Sequence, residues 1–193
     1  MDTARHAFAD SREATTYTVL QRVLQNHCTT HVLSLLAALT ASVLLLVGTC
    51  MQRCEAGGVE EGPLLLQTLA GLKQRVRTRP ARGPLALLAE PDEADPHDPR
   101  MRPQTEALSR ALATLLGEAA EAYHLSPEGR WRIAAALVAD LLCLWLLPGH
   151  LPRVAVDAVI NQLGRAVAAQ LARARGQTAP AQHGRSGAGV HEA

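Results

Sequence analysis

The sequence predicts an all-α protein: one long N-terminal helix carrying a membrane-grade apolar segment, followed by a small helical bundle. Three observations predict it. Hydrophobic residues make up 48% of the 193 residues but aromatics only 3%, so Leu and Ala, both strong helix formers, carry most of the apolar content. Apolar side chains recur at helical spacing over long stretches. The twenty residues 32–51 carry no charge.

The first ten residues read as a disordered N-terminus. Asp10 and Ser11 can cap a helix, because their side-chain oxygens accept free N–H groups of its first turn. Tyr17, Leu20, Val23 and Leu24 then follow at helical spacing. No Gly or Pro interrupts between Ser11 and Val47, so one unbroken helix is expected over 11–54. Its segment 32–51, at about 1.5 Å per residue, is about 30 Å long, the thickness of a bilayer's hydrocarbon. Ser34, Thr40, Ser42 and Thr49 are tolerable there, since each hydroxyl can bond back to a carbonyl one turn earlier. A helix apolar all round also suits the core of a soluble bundle. The 31 residues ahead of the segment are too many for the n-region of a signal peptide. Val47-Gly-Thr-Cys50 matches a lipoprotein cleavage site poorly, with Thr49 where a smaller residue is expected.

Residues 55–62 read as a turn, and a short helix is expected over 63–76. The basic run Lys73–Arg82 and the acidic run Glu90–Asp98, broken by Pro91 and Pro96, make 77–103 a charged, Pro-rich linker. Thr105 can cap a helix over 106–124. Ser126-Pro127-Glu128 is a strong start for the next, to about Leu147: a cap, a proline at the first helical position, and a carboxylate at the positive end of the dipole. Pro152 can open a last helix that Gly176 ends. Residues 104–176 therefore form a helical domain, and 177–193 a disordered tail.

The chemistry-bearing residues are few. The cysteines, Cys28, Cys50, Cys54 and Cys143, do not make a disulfide framework and point to a reducing compartment. Cys50 and Cys54, at the boundary of the apolar segment, are candidate lipidation sites. His27 and His31 share a helix face beside Cys28, a spacing that can bind zinc, but no partner motif accompanies them and no metal or cofactor is expected. The basic run has no interleaved aromatic for base stacking; a solvated linker is the first reading, anionic lipid the second, and no nucleic-acid partner is expected. Ile133 to Leu147 is apolar except for Asp140, with Trp131 and Trp145 near its ends. Insertion of that stretch is near balance, since Asp140 costs roughly 2.5–3.5 kcal/mol and each Ile, Leu or Val returns roughly 0.3–0.6. Asp140 is thus a candidate intramembrane or buried carboxylate, a helix–helix contact being preferred to a proton path. No phosphate-binding glycine loop, nucleophile elbow or paired Cys-x-x-Cys occurs, and no enzymatic activity is expected.

Asp10-Ser-Arg-Glu13, with Tyr17 and Leu24, resembles the N-terminal homology helix of the B-cell-lymphoma (Bcl) apoptosis regulators. Glu128-Gly-Arg-Trp-Arg-Ile133 is similar to that family's acidic-Gly, Trp and Arg-Ile cluster ahead of a hydrophobic helix. The stretches occur in the family's order and span about 30 of the 193 residues. The family's Leu-x-x-x-Gly-Asp and Gly-Gly-Trp motifs do not occur. The resemblance implies a groove for an amphipathic helix, with Trp131 and Arg132 in the interaction cluster.

Taken together, the residues point to a non-enzymatic, single-pass protein of an intracellular membrane, whose partners are the lipid bilayer and a protein engaged through amphipathic helices. The alternatives are a Bcl-like regulator of apoptosis, a soluble helical bundle and a transporter subunit using Asp140.

Overall fold

The computed structural model describes residues 8–28, 32–58, 60–78, 101–146 and 153–178, and every regular element in them is an α-helix. In chain order these are α1 (Ser11–Cys28), α2 (Val32–Gly57), α3 (Glu61–Thr78), α4 (Met101–Tyr123), α5 (Pro127–Leu146) and α6 (Arg153–Thr178). The all-α class is therefore as the sequence predicts.

The expected single helix 11–54 is two helices, α1 and α2, packed against each other. The reason is the difference between their surfaces. α2 is apolar on nearly every side, whereas α1 has one stripe, with Tyr17, Leu20 and Leu24 all buried. A continuous rod leaves that stripe in water. Lying alongside its neighbours, α1 buries it, and each large apolar side chain so covered contributes about 1.5–3 kcal/mol.

α2 is the central element. It packs most extensively on α5 and α4, and also touches α1, α6 and α3. α5 is buried at every position from Ile133 to Leu142. α2 and α5 run antiparallel, Arg53 near the end of one meeting Glu128 and Trp131 at the start of the other. α1 lies parallel to α5: Glu13 meets Arg132, and two turns on Gln21 meets Asp140. α3 and α6 pack side by side on the opposite flank, in close approach where Gly164 faces Leu69.

Helix ends follow local chemistry. The Asp10 carboxylate accepts N–H bonds from Arg12 and Glu13, both at 2.9 Å. The Ser126 hydroxyl accepts from Gly129 N–H at 3.0 Å, as its sequence context predicts. α2 stops where Gly58 takes φ +58°, a left-handed conformation that glycine adopts without steric cost. α4 stops where His124 takes φ +53°, and the Leu125 N–H reaches back to the Ala120 carbonyl at 3.0 Å. Leu125 is buried beneath this Schellman turn. Several boundaries differ from expectation: α2 runs on to Gly57 and α3 begins at Glu61, both inside the expected turn 55–62, and α6 continues past Gly176 to Thr178. α4 begins at Met101, which Pro103 permits because first-turn N–H groups lack intrahelical partners. Thr105 is thus inside the helix, buried, with its hydroxyl unbonded, and is not the cap. Most of the expected linker, and the tail beyond 178, lie outside the described residues.

Candidate functional site

The chemistry-bearing side chains gather at one end of the bundle, where the starts of α1 and α5 meet the end of α2 and the first half of α3. The Asp10 cap fixes the first turn of α1 and so places Glu13. The Ser126–Pro127 start of α5 places Glu128, Trp131 and Arg132.

Arg132 grips Glu13 with two bonds, Nε to Oε2 at 3.0 Å and Nη2 to Oε1 at 2.6 Å. This side-on fork is the strong form of a guanidinium–carboxylate pair. The Glu13 side chain is 4% exposed and that of Arg132 23%. Glu13 Oε2 also accepts the Ala9 N–H at 3.1 Å. The hydrogen bond to Glu13 holds the Arg132 guanidinium still more firmly protonated than usual, against the opposing effect of burial. The third arm of Arg132, Nη1, reaches Glu128 one turn earlier at 2.9 Å. Glu128 in turn faces Arg53 of α2 at 3.5 Å.

The Arg53 guanidinium lies over the Trp131 ring, 4.4 Å from its centroid, a cation–π contact. The Trp131 indole N–H donates to the Thr68 hydroxyl of α3 at 3.0 Å, and Thr68 donates to the Leu64 carbonyl at 2.7 Å. Four helices are thus joined through one chain of contacts, Glu13–Arg132–Glu128–Arg53–Trp131–Thr68. Gly129 sits inside it because nothing larger fits easily: a Cβ there falls 2.7 Å from Glu13 Oε1.

Trp131 and Arg132, the sequence-derived interaction candidates, are brought together here, but both are engaged by other helices of the same chain. Sequence reasoning did not single out Arg53 or Thr68 as members of this cluster. The available signal was Trp131 itself, because a buried indole needs an acceptor. Asp140 is buried at the α1–α5 contact, with the Gln21 amide 3.5 Å from Oδ2. Cys50 is buried and Cys54 partly buried, both as thiols. His27 is partly exposed on α1, whereas His31 and the Cys28 side chain lie outside what is described. Among the described residues no three metal-ligating side chains come together.

A second feature lies beside the cluster. α2 and α4 border an open cleft of about 170 Å³, lined by Leu44, Gly48 and Gln52 on α2, Ala113 and Gly117 on α4, and Arg130 at one end. Gly48 and Gly117 face open space.

Among the described residues one helix is long and apolar enough to cross a membrane, over Leu36–Gly57 of α2, and 56% of its most apolar window is buried inside the bundle. Two of its hydroxyls bond back to the helix's own carbonyls, as a dry environment requires, and one does not. Thr40 donates to the Leu36 carbonyl at 2.8 Å and Thr49 to that of Leu46 at 3.0 Å, while Ser42 is buried with its hydroxyl unbonded.

No family model matches this chain, and neither the curated proteins nor the solved structures searched contain a match to it.

Proposed function

We propose that this chain is a non-enzymatic helical interaction protein that works at an intracellular membrane, with α2 as the element that enters the bilayer. The observation that carries this reading is the Leu36–Gly57 segment, which meets the length and composition of a span and lies at the centre of a bundle of more polar helices. Lipid and the surrounding helices are alternative covers for the same apolar surface. α5 and α4, with α1, cover that surface in the bundle, and the ion-paired cluster at its end holds α1 in place.

Carbonate extraction of the expressed chain tests the reading. An α2 that enters lipid keeps the protein in the membrane pellet. Complete recovery of the wild-type protein as a soluble monomer removes the membrane role and leaves a soluble bundle.

A second reading, a Bcl-like regulator, is favoured by one observation. The two stretches that carry the resemblance, separated by more than a hundred residues, meet through Glu13 and Arg132. Under this reading the α2–α4 cleft is the groove for an amphipathic helix. Titration of a labelled death-motif peptide against the purified protein decides it. Saturable binding that Gly117→Leu abolishes supports it, since the larger side chain fills the cleft at a position facing open space. No saturation at tens of micromolar, about 6 kcal/mol of affinity, removes it.

A further inference from the structure

The positive charge of the described helices is concentrated on two of them. α3 carries Lys73, Arg75 and Arg77 against Glu61 alone, and α6 carries Arg153, Arg165, Arg173 and Arg175 against Asp157 alone. The pair therefore has a surplus of five positive charges in a chain whose total is +1. α4 has Glu106, Glu118 and Glu121 against Arg102 and Arg110. α3 and α6 pack on each other, whereas α4 makes its main contacts with α2 and α1.

The exposed side of α6 has a consistent chemistry. Arg165 and Arg173 are exposed, with Gln162, Ala166, Ala169 and Ala172 around them, and from Ala158 to Arg173 there is no carboxylate. On α3, Leu66 is 70% exposed, the most exposed large apolar side chain among the described residues. Ala70 and Gln74 continue its line along the helix at four-residue spacing, with Lys73 beside them. Gly164 lets the two helices approach closely: a Cβ there lies 2.6 Å from Leu69 Cδ1. Close approach sets the two cationic helices side by side. The combination of clustered cations, small uncharged residues and a projecting leucine is that of a membrane-surface contact. Base stacking has nothing to work with, since neither helix contains an aromatic residue.

We propose that the α3–α6 face is the docking surface of this protein for an anionic lipid bilayer, the cations meeting headgroups and Leu66 entering the interface. The inference rests on the membrane reading above and adds the surface and the lipid class.

The experiment is flotation of the purified full chain with vesicles of phosphatidylcholine alone and of phosphatidylcholine with 30% phosphatidylserine, roughly the anionic fraction of a cytoplasmic leaflet. Binding is expected to the anionic vesicles and to fall steeply with added salt. Each cation near the surface is worth about fivefold in affinity, equivalent to about 1 kcal/mol. The triple variant Lys73→Gln, Arg165→Gln, Arg173→Gln should therefore lose about a hundredfold, with its helical circular dichroism unchanged. Leu66→Ser should lose several-fold. Arg102→Gln with Arg110→Gln, on α4, should bind as wild type. Equal, salt-independent binding to both vesicle types, or a triple variant that binds as wild type, overturns the docking surface while the membrane reading stands. No binding to either vesicle type, with full carbonate extraction from cells, removes both. Tight binding of a single-stranded RNA oligonucleotide in place of vesicles assigns the face to nucleic acid and overturns the proposal.

Discussion

Glu13 and Arg132, 119 residues apart in the chain, form a two-bond ion pair of 2.6 and 3.0 Å that ties the first turn of α1 to the first turns of α5. Removing one partner from a buried pair strands the other charge, at a cost of about 3–5 kcal/mol. Arg132→Met alone should approach that cost, since the Glu13 side chain is 4% exposed. Glu13→Leu with Arg132→Met should recover most of it, because no charge is then stranded. Urea unfolding of wild type, both singles and the double gives the coupling. A coupling below about 0.5 kcal/mol means that the pair does not hold α1.

Gly129→Ala tests the same junction from the backbone. The added methyl falls 2.7 Å from Glu13 Oε1, and that carboxylate is pinned by Arg132 and the Ala9 N–H. Overpacking of this kind costs about 1–3 kcal/mol. In a Glu13→Ala background the clash has no target, so the alanine should there be neutral or slightly stabilising through its better helix propensity. A penalty of equal size in both backgrounds assigns the effect elsewhere.

His124 holds the left-handed position at the end of α4. A side chain in that conformation costs roughly 1 kcal/mol relative to glycine. His124→Gly should raise the unfolding free energy by about 0.5–1 kcal/mol, read as a higher urea midpoint at unchanged slope. A decrease shows that the imidazole makes a compensating contact.

Leu44 and Leu46 separate burial in the bundle from burial in lipid. Leu44 is 38% exposed in the bundle and Leu46 fully buried. Leu44→Arg can extend into water, so the bundle should keep its stability within about 0.5 kcal/mol. Near the middle of a span the same arginine costs about 2.5–3.5 kcal/mol. The variant should fold and leave the membrane pellet. Leu46→Arg should lose the fold, detected as lost cooperativity in thermal unfolding. A Leu44→Arg protein that pellets as wild type does places α2 outside the hydrocarbon.

The two candidate lipidation sites differ in access. Cys50 is 1% exposed, whereas Cys54, one turn on, is partly open. A brief maleimide pulse on the native protein, read by mass spectrometry, should label Cys54 well ahead of Cys50. Equal labelling of both means that α2 is not sheathed at this end.

Much of the fold was legible because helices are specified locally. The Ser126–Pro127–Glu128 start, the Asp10 cap and the apolar periodicities of α3, α4 and α6 each depend on residues within one or two turns, and each appears where expected within a few residues. The charge-free stretch within α2 was equally plain. What the sequence did not determine is what covers that stretch, because apolar surface has no direction: lipid and the apolar faces of α5, α4 and α1 satisfy it alike. Nor did the sequence join Glu13 to Arg132, or Trp131 to Thr68. Those pairings depend on helix order and relative rotation, and these are settled by the way whole faces pack. Tertiary structure therefore decided that the apolar run is a second helix with α1 beside it, and that Trp131 and Arg132 are committed to internal contacts. Composition and periodicity determined five helical segments, the first carrying the membrane-grade run; the long-range packing of buried faces divided that first segment in two and made the six helices one bundle.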